Sequence, residues 1–384
     1  MNKTVLSLLT ATLVSQPVSG AESLTEAITN GTVKGDIRIR YEDVDNDNTD
    51  SDGMTIRTRL GYMTDTYSDF SAYIEFEDVR DMFGIDDEEE LIPDPEVTEF
   101  EQGLLQYKND QVTAKAGRQV ITLDGHRFIG HVGWRQDRQT FDAARVQFMP
   151  MDKLSVDLSY LWKRNRIFAE TADADSDDVL INLGYVTPIG KLVGYGYRLD
   201  DSTRDEESDT YGVSLTGQSG MFSYTLEAAS QEITDSGVDY DTDYLIAEGG
   251  LALSGVTLKL GYELLGSDDG DASFTTPLAT LHKFNGWADI FLGGTFDPVA
   301  MPDGLEDTYI SVSGKLAEYS LVAAFHDFGS DEGSTDYGSE IDLQASRKFG
   351  KHYNAGIKYA AYSDDGFNAA GDVDKLWLWT GMSF

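Results

Sequence analysis

The stretch GRQVITLDGHRFIGHVGWRQDRQTFDAARV, residues 117 to 146, gathers Arg118, Arg127, Arg135, Arg138 and Arg145 in a chain whose formal net charge is −39. Guanidinium groups at this density have two uses. Each offers a planar fork of donors to an anion, or each pairs with a carboxylate of its own chain and braces the fold. The residue types admit both. Of the fifteen arginines, fourteen lie between Arg38 and Arg204 and only Arg347 lies later, so the basic side chains belong to the first half of the chain. Trp134 stands among them, and an indole beside cations can stack on a sugar ring.

The elements that must position these side chains show a period of two. From Val33 onward, apolar residues recur at alternate positions over runs of about ten residues, which is strand patterning. Eighteen runs begin near Val33, Met54, Phe70, Thr98, Gln111, Gln139, Lys153, Asp178, Lys191, Asp209, Met221, Tyr244, Gly255, Glu306, Glu318, Tyr337, His352 and Asp374. In Val156, Leu158, Tyr160 and Trp162 every second side chain is apolar, with Ser155, Asp157 and Ser159 between. The polar face carries mostly Ser, Thr, Gly and Asn rather than the Lys and Glu that bulk water favours, as in a wet lumen.

The links alternate as well. Short ones at 108–110, 187–190, 217–220 and 253–255 take every second place, and long acidic ones take the others. Asp43 to Gly53 holds five aspartates, Arg80 to Val97 holds eight carboxylates, and 171–178 reads TADADSDD. The expected architecture is all-β: a transmembrane antiparallel up-and-down barrel of about 18 strands, with short periplasmic turns and long acidic extracellular loops. At that size the lumen is a channel rather than a packed core.

Alternation then assigns faces. Arg38 and Arg40 alternate with Ile37, Ile39 and Tyr41, and Arg57 and Arg59 with Ile56, Thr58 and Leu60. Arg145 alternates with Ala144, Val146 and Phe148, and Lys115 with Ala114 and Ala116. A charge on the lipid face near the midplane costs roughly 2 to 4 kcal/mol, so these six should face the lumen as one basic stripe. Glu75 and Glu77 on the third run interrupt it, and Asp157 borders it. A ladder of arginines across a pore favours anions.

Met1 to Ala21 reads as a secretory signal, with Lys3 as the positive start and Ser19 and Ala21 as small residues at the cleavage site. The expected organisation is a signal peptide at 1–21, a short segment at 22–32 and an outer-membrane barrel at 33–384. Loss of Lys3 takes the charge from −39 to −40, which argues against nucleic acid as a partner. There is no cysteine, hence no disulfide and no thiol-ligated metal. Leu376, Leu378, Thr380 and Met382 alternate up to Phe384, and a final strand closing on a C-terminal aromatic resembles the signal read by bacterial barrel-assembly machinery.

GRQ at 117–119, followed by GHRFIGHVGWRQDRQTFDAARV, resembles a motif of the alginate-export family of outer-membrane barrels. TTPLATLHKFNGWADIF at 275–291 and GLEDTYISV at 304–312 resemble a second family segment. The resemblance implies an eighteen-stranded barrel in the bacterial outer membrane whose arginine-rich lumen passes an anionic polyuronate. It implies that Arg118, Arg127, Arg135, Arg138 and Arg145 line or gate the pore. The expected solutes are acidic oligo- or polysaccharides such as alginate, or small anions, with outer-membrane lipid and lipopolysaccharide around the barrel. The alternative is a general small-solute porin whose arginines are structural.

Two long links carry further expectations. Leu265 to Gly304 contains Phe274, Leu281, Phe284, Trp287, Ile290 and Phe291, which would not sit free in water, so this segment should fold into the channel or over its mouth. Residues 120–138, with His126 and His131, form a second candidate for an inward fold. DVDNDNTDSDG at 43–53 departs from a calcium loop, with Asn48 where glycine is wanted and Met54 where a bidentate glutamate is wanted. No spacing among the five histidines identifies a catalytic triad, so no catalytic residue, metal or cofactor is expected, and a hydrolase is the least favoured reading.

Overall fold

A run with one apolar and one polar face can hide its backbone edges in a membrane only by pairing with neighbours on both sides, and a set of such runs satisfies this by closing on itself. The computed structural model describes residues 20–82, 92–203 and 206–384, so most of the signal segment, much of the acidic 80–97 link and Arg204 lie outside the described residues.

After a one-turn helix, α1 (Leu24–Thr29), the chain forms β1 (Thr32–Asn46), β2 (Asp50–Met63), β3 (Phe70–Asp81), β4 (Val97–Lys108), β5 (Val112–Gln119) and β6 (Thr140–Met151). It continues through β7 (Leu154–Asn165), β8 (Ala174–Thr187), β9 (Gly190–Asp201), β10 (Glu206–Ser219), β11 (Phe222–Asp235), β12 (Val238–Leu253) and β13 (Val256–Leu265). A small hairpin of β14 (Ser267–Asp268) and β15 (Ala272–Ser273) and a short helix α2 (Leu292–Phe296) precede β16 (Leu305–Leu316), β17 (Tyr319–Gly329), β18 (Asp336–Phe349), β19 (Tyr353–Ser363) and β20 (Val373–Ser383).

All but β14 and β15 belong to one 18-stranded sheet, each strand antiparallel to the next, and β20 returns to pair with β1 from Asp36↔Ser383 to Asn46↔Val373. Gly35 and Phe384 exchange two backbone hydrogen bonds of 3.0 Å at the seam. The Phe384 ring covers Gly35, where any Cβ would collide with it.

The eighteen expected runs correspond to the eighteen barrel strands. The differences of more than two residues fall at the starts of β2, β8, β10 and β12, which begin at Asp50, Ala174, Glu206 and Val238 rather than near 54, 178, 209 and 244. The added residues are mostly polar and acidic. Beyond the membrane both faces meet water, so apolar alternation stops while backbone pairing continues. The 43–53 segment is therefore a hairpin tip: Asp43 faces Asp52 and Asp45 faces Asp50, and the Asn46 side chain accepts from the Asn48 and Thr49 N–H groups at 2.9 Å.

Along each strand, exposure alternates. Leu60, Ile74, Phe76, Leu158, Ile181, Val213, Leu258, Ile310, Phe325 and Ile341 are exposed, a belt that water would not tolerate and that the lipid-facing band of a barrel requires. The start of β1, the C-terminal Phe384 and the short turns lie at one end, where the Gly31 N–H after α1 donates to the Tyr62 hydroxyl at 2.9 Å. At the other end, the two longest links, 120–139 and 266–304, turn inward. Their Ile121, Ile129, Phe274, Leu278 and Phe291 pack with wall residues Tyr195, Tyr197, Tyr244, Phe328 and Trp377 in a single apolar cluster. The barrel is thus filled across part of its height by its own loops.

Candidate functional site

A loop laid through a lumen brings carbonyls that no strand ladder satisfies, and each needs a donor. Arginines on β1 and β2 supply them. Arg38 Nε donates to Gln136 Oε1 at 2.9 Å and its Nη2 to the Trp134 carbonyl at 2.8 Å, with the Arg135 carbonyl also accepting. Arg40 Nη1 donates to the Trp134 carbonyl at 2.6 Å, and Arg57 and Arg59 donate to the Gln136 carbonyl at 3.3 and 2.9 Å. Gln136 is the hub of this contact, since its N–H donates to Asp94 at 2.8 Å and its amide to Thr55 Oγ1 at 2.9 Å.

Carboxylates take up most of the remaining charge. Arg135 pairs with Glu42 at 2.8 Å and with Asp289 at 3.3 Å, and Arg40 pairs with Glu42 at 3.1 Å and with Asp94. Arg57 pairs with Asp36, Arg59 with Glu77, and Arg138 with Glu75 and Glu101. Among the described residues Arg38 alone of this group has no carboxylate partner; its bonds go to neutral oxygens.

The other candidate residues are spread more widely. Lys115 and Arg145 face each other across the β5–β6 ladder; Arg145 Nε donates to Asp157 at 3.0 Å, while the Lys115 side chain makes no hydrogen bond or ion pair among the described residues. Arg127 crosses to the far wall, where it pairs with Glu263 at 2.6 Å and donates to Asn285 at 3.0 Å. Arg118 leaves the stripe altogether. On β5 it alternates with the buried Gln119 and pairs at 2.8 Å with Asp142, which alternates with the buried Phe141 and Ala143, so this pair lies on the outward side beside Phe100. The expectation that Arg118 lines the pore is corrected by this register, because strand alternation overrides proximity in sequence.

The second inward loop meets the first through aromatic rings. Trp134 stacks on His282 with centroids 4.7 Å apart and planes 7° apart. His282 Nδ1 lies 3.0 Å from Asp289, and its Nε2 lies 2.9 Å from Lys358 Nζ on β19, which also sits over the Trp134 and Trp287 rings at 3.9 and 4.0 Å. Burial holds His282 down to about 3, against the pull of Asp289, so the ring is neutral, donating from Nδ1 and accepting from Lys358. His326 Nδ1 contacts Asp307 at 2.9 Å. Among the described residues no hydroxyl hydrogen-bonds to a histidine ring.

Between loops and walls, cavities remain. One of about 510 Å³ is lined by Glu227, Glu248, Lys259, Glu263, Lys283 and His326. One of about 460 Å³ at the short-turn end is lined by Lys108, Arg145, Asp157 and Lys191. A smaller one, about 190 Å³, lies against Trp134 and is lined by Asp36, Arg38, Arg40, Arg57, Asn354 and Trp379. A hollow of about 610 Å³ edged by Val312, Leu321, Leu343 and Ile357 is on the outer, lipid-facing side.

Sequence patterning missed Glu42, Asp94, Gln136, Asp289 and Lys358. Glu42 and Lys358 sit at lumenal positions of their strands and were findable by alternation; Asp94, Gln136 and Asp289 are in loops, where no period marks them.

The alginate export family profile matches residues 31–264. No curated protein matches the chain. Among solved structures, Acinetobacter baumannii OccAB2 superposes with a TM-score of 0.72 at 14% identity, covering 94% of this chain and 99% of that one. Pseudomonas aeruginosa OccK5 (OpdH) gives 0.70 at 13%, covering 93% and 99%. Pseudomonas aeruginosa OpdK, solved with vanillate, gives 0.69 at 11%, covering 93% and 99%. At these identities the likeness establishes the barrel fold.

Proposed function

We propose, from the premise that this chain belongs to the alginate export family of outer-membrane channels, that it lets small acidic solutes, short uronate sugars foremost, diffuse passively through a charged constriction. Family membership marks it as a channel rather than an enzyme.

The cavity of about 190 Å³ carries the reading. Three guanidinium groups and one carboxylate surround it, with the indoles of Trp134 and Trp379 beside them. Arg38, without a carboxylate partner, leaves net positive charge where the lumen is narrowed. Cation forks for a carboxylate and flat apolar faces for a ring are what an acidic sugar offers partners for. The inward loops leave spaces of monosaccharide size, which favours small solutes over a threaded polymer. The OpdK structure holds vanillate, a small carboxylate, in a barrel of the same fold; that is an analogy of chemistry only.

In this reading residues 1–21 direct export, the apolar belt meets outer-membrane lipid and lipopolysaccharide, and the terminal Phe384 is the handle for the barrel-assembly machinery. A second reading is favoured by the ion pairs of Arg59, Arg135, Arg138 and Arg145: structural arginines in a general small-solute porin.

Reversal potential in a planar bilayer under a KCl gradient separates the two. Anion preference that falls in Arg38→Glu and Arg57→Glu, with conductance blocked by uronate oligomers, supports the acidic-solute channel. Cation preference insensitive to both substitutions replaces it with the general porin.

A further inference from the structure

Where the first inward loop leaves the lumen wall, charge does not balance. Glu75, Glu77, Glu99, Glu101 and Asp137 come together from β3, β4 and the loop, and among the described residues only Arg59 and Arg138 form ion pairs with them. Five carboxylates against two guanidiniums leave an excess of three negative charges in a largely buried site when all are ionised, which calls for compensation.

Three of these carboxylates converge. One oxygen each from Glu77, Glu99 and Asp137 lie within 4.8 Å of one another. Asp137 and Glu77 are each 1% exposed, and both Asp137 oxygens and Glu77 Oε1 have no hydrogen-bond partner. A buried carboxylate with both oxygens unsatisfied points to a missing positive partner. Arg118 is committed to Asp142 on the outward side, and Arg135 to Glu42 and Asp289.

We propose that Glu77, Glu99 and Asp137 form a divalent-cation site, for calcium in the first place, that staples the inward loop to the barrel wall. All three donors are hard carboxylate oxygens, the set that calcium and magnesium take. Calcium tolerates irregular oxygen geometry, whereas magnesium demands a near-ideal octahedron and dehydrates reluctantly, so three largely buried carboxylates whose oxygens lie within 4.8 Å of one another favour calcium. Glu77 and Glu99 belong to adjacent strands and Asp137 to the loop, between the Gln136 that receives the arginines and the Arg138 that reaches Glu75. A bound cation therefore fixes the loop at the point where its contacts to the wall converge.

Calorimetric titration of calcium into the detergent-folded, chelator-stripped full chain at neutral pH tests this, with the heat-modifiable gel shift confirming a folded barrel in every variant. Saturable binding of one calcium per chain, weakened at least about tenfold in Asp137→Asn and in Glu99→Gln, supports the site. Asp52→Asn at the acidic hairpin tip should leave binding unchanged, and calcium should raise the unfolding temperature of the wild type more than that of Asp137→Asn. The proposal is overturned by the absence of saturable binding at millimolar calcium, which would mean that protons shared among the carboxylates balance the charge. Binding that survives Asp137→Asn and Glu99→Gln but is lost in Asp52→Asn overturns it as well.

Discussion

Trp134 and His282 stack with 4.7 Å between ring centroids, and that contact joins two loops that leave the barrel between different pairs of strands. Each ring is held from behind: Arg40 lies over Trp134 at 5.4 Å, and Asp289 and Lys358 hold His282. The stack closes part of the lumen.

Replacing Trp134 with alanine removes the surface on which His282, Lys358 and Arg40 rest. Single-channel conductance is expected to rise as the loops part, with a loss of stability of about 3 kcal/mol in urea unfolding of the detergent-folded barrel. Conductance equal to wild type would show that the ion path bypasses this contact.

Glu42 receives Arg135 at 2.8 Å and Arg40 at 3.1 Å in full burial. The neutral Glu42→Gln leaves two guanidiniums facing each other without their shared counter-charge, and about 3 to 5 kcal/mol of stability should be lost. A double substitution, Glu42→Gln with Arg135→Met, should recover part of it, read from the same unfolding curves.

His282 is kept neutral down to about pH 3, whereas the unfolded chain protonates it near 6.5. Between those values the unfolded state binds a proton that the folded state refuses, so stability falls as pH drops through this window and is insensitive to this group above it. His131, lowered to about 4 chiefly by burial and by His126, acts in the same direction. His282→Gln should be less stable than wild type at pH 7.5 and should lose less further stability on moving to pH 5. Parallel pH profiles for both proteins would remove His282 from this account.

Gly261 on β13 lies directly opposite Tyr309 on β16, and a Cβ at Gly261 would enter the tyrosine ring. The ring lies flat over the glycine while its hydroxyl donates to Glu248 at 3.0 Å across the lumen wall. Gly261→Val should displace the ring, costing about 1 to 3 kcal/mol, with loss of the Glu248 contact. Tyr309→Ala in the same background should abolish the penalty of the valine.

The barrel was legible because its rule is local. Each strand advertises its two faces within itself, as Val156, Leu158 and Tyr160 do between Ser155, Asp157 and Ser159. The same rule placed Arg38, Arg40, Arg57, Arg59 and Arg145 on inward positions, and applied strictly it would have turned Arg118 outward, since Lys115 and Gln119 share the opposite face. The apolar content of 266–304 made its inward fold expected, and Phe274, Leu278 and Phe291 in the interior cluster are its outcome.

The amino-acid sequence by itself determined the strand number, the faces and the ends of this protein, because a lipid solvent enforces a period of two within each run and tolerates no open edge. Tertiary structure alone decided which carboxylate each arginine meets, that Gln136 receives three of them, that Arg127 reaches Glu263 across the lumen, and that Asp137 arrives unpaired beside Glu77 and Glu99. Most of these contacts join a loop residue, which no periodicity marks, to a strand residue far away along the chain. Their pairing is set by where a folded-in loop finds complementary charge on a closed wall, which no local pattern encodes.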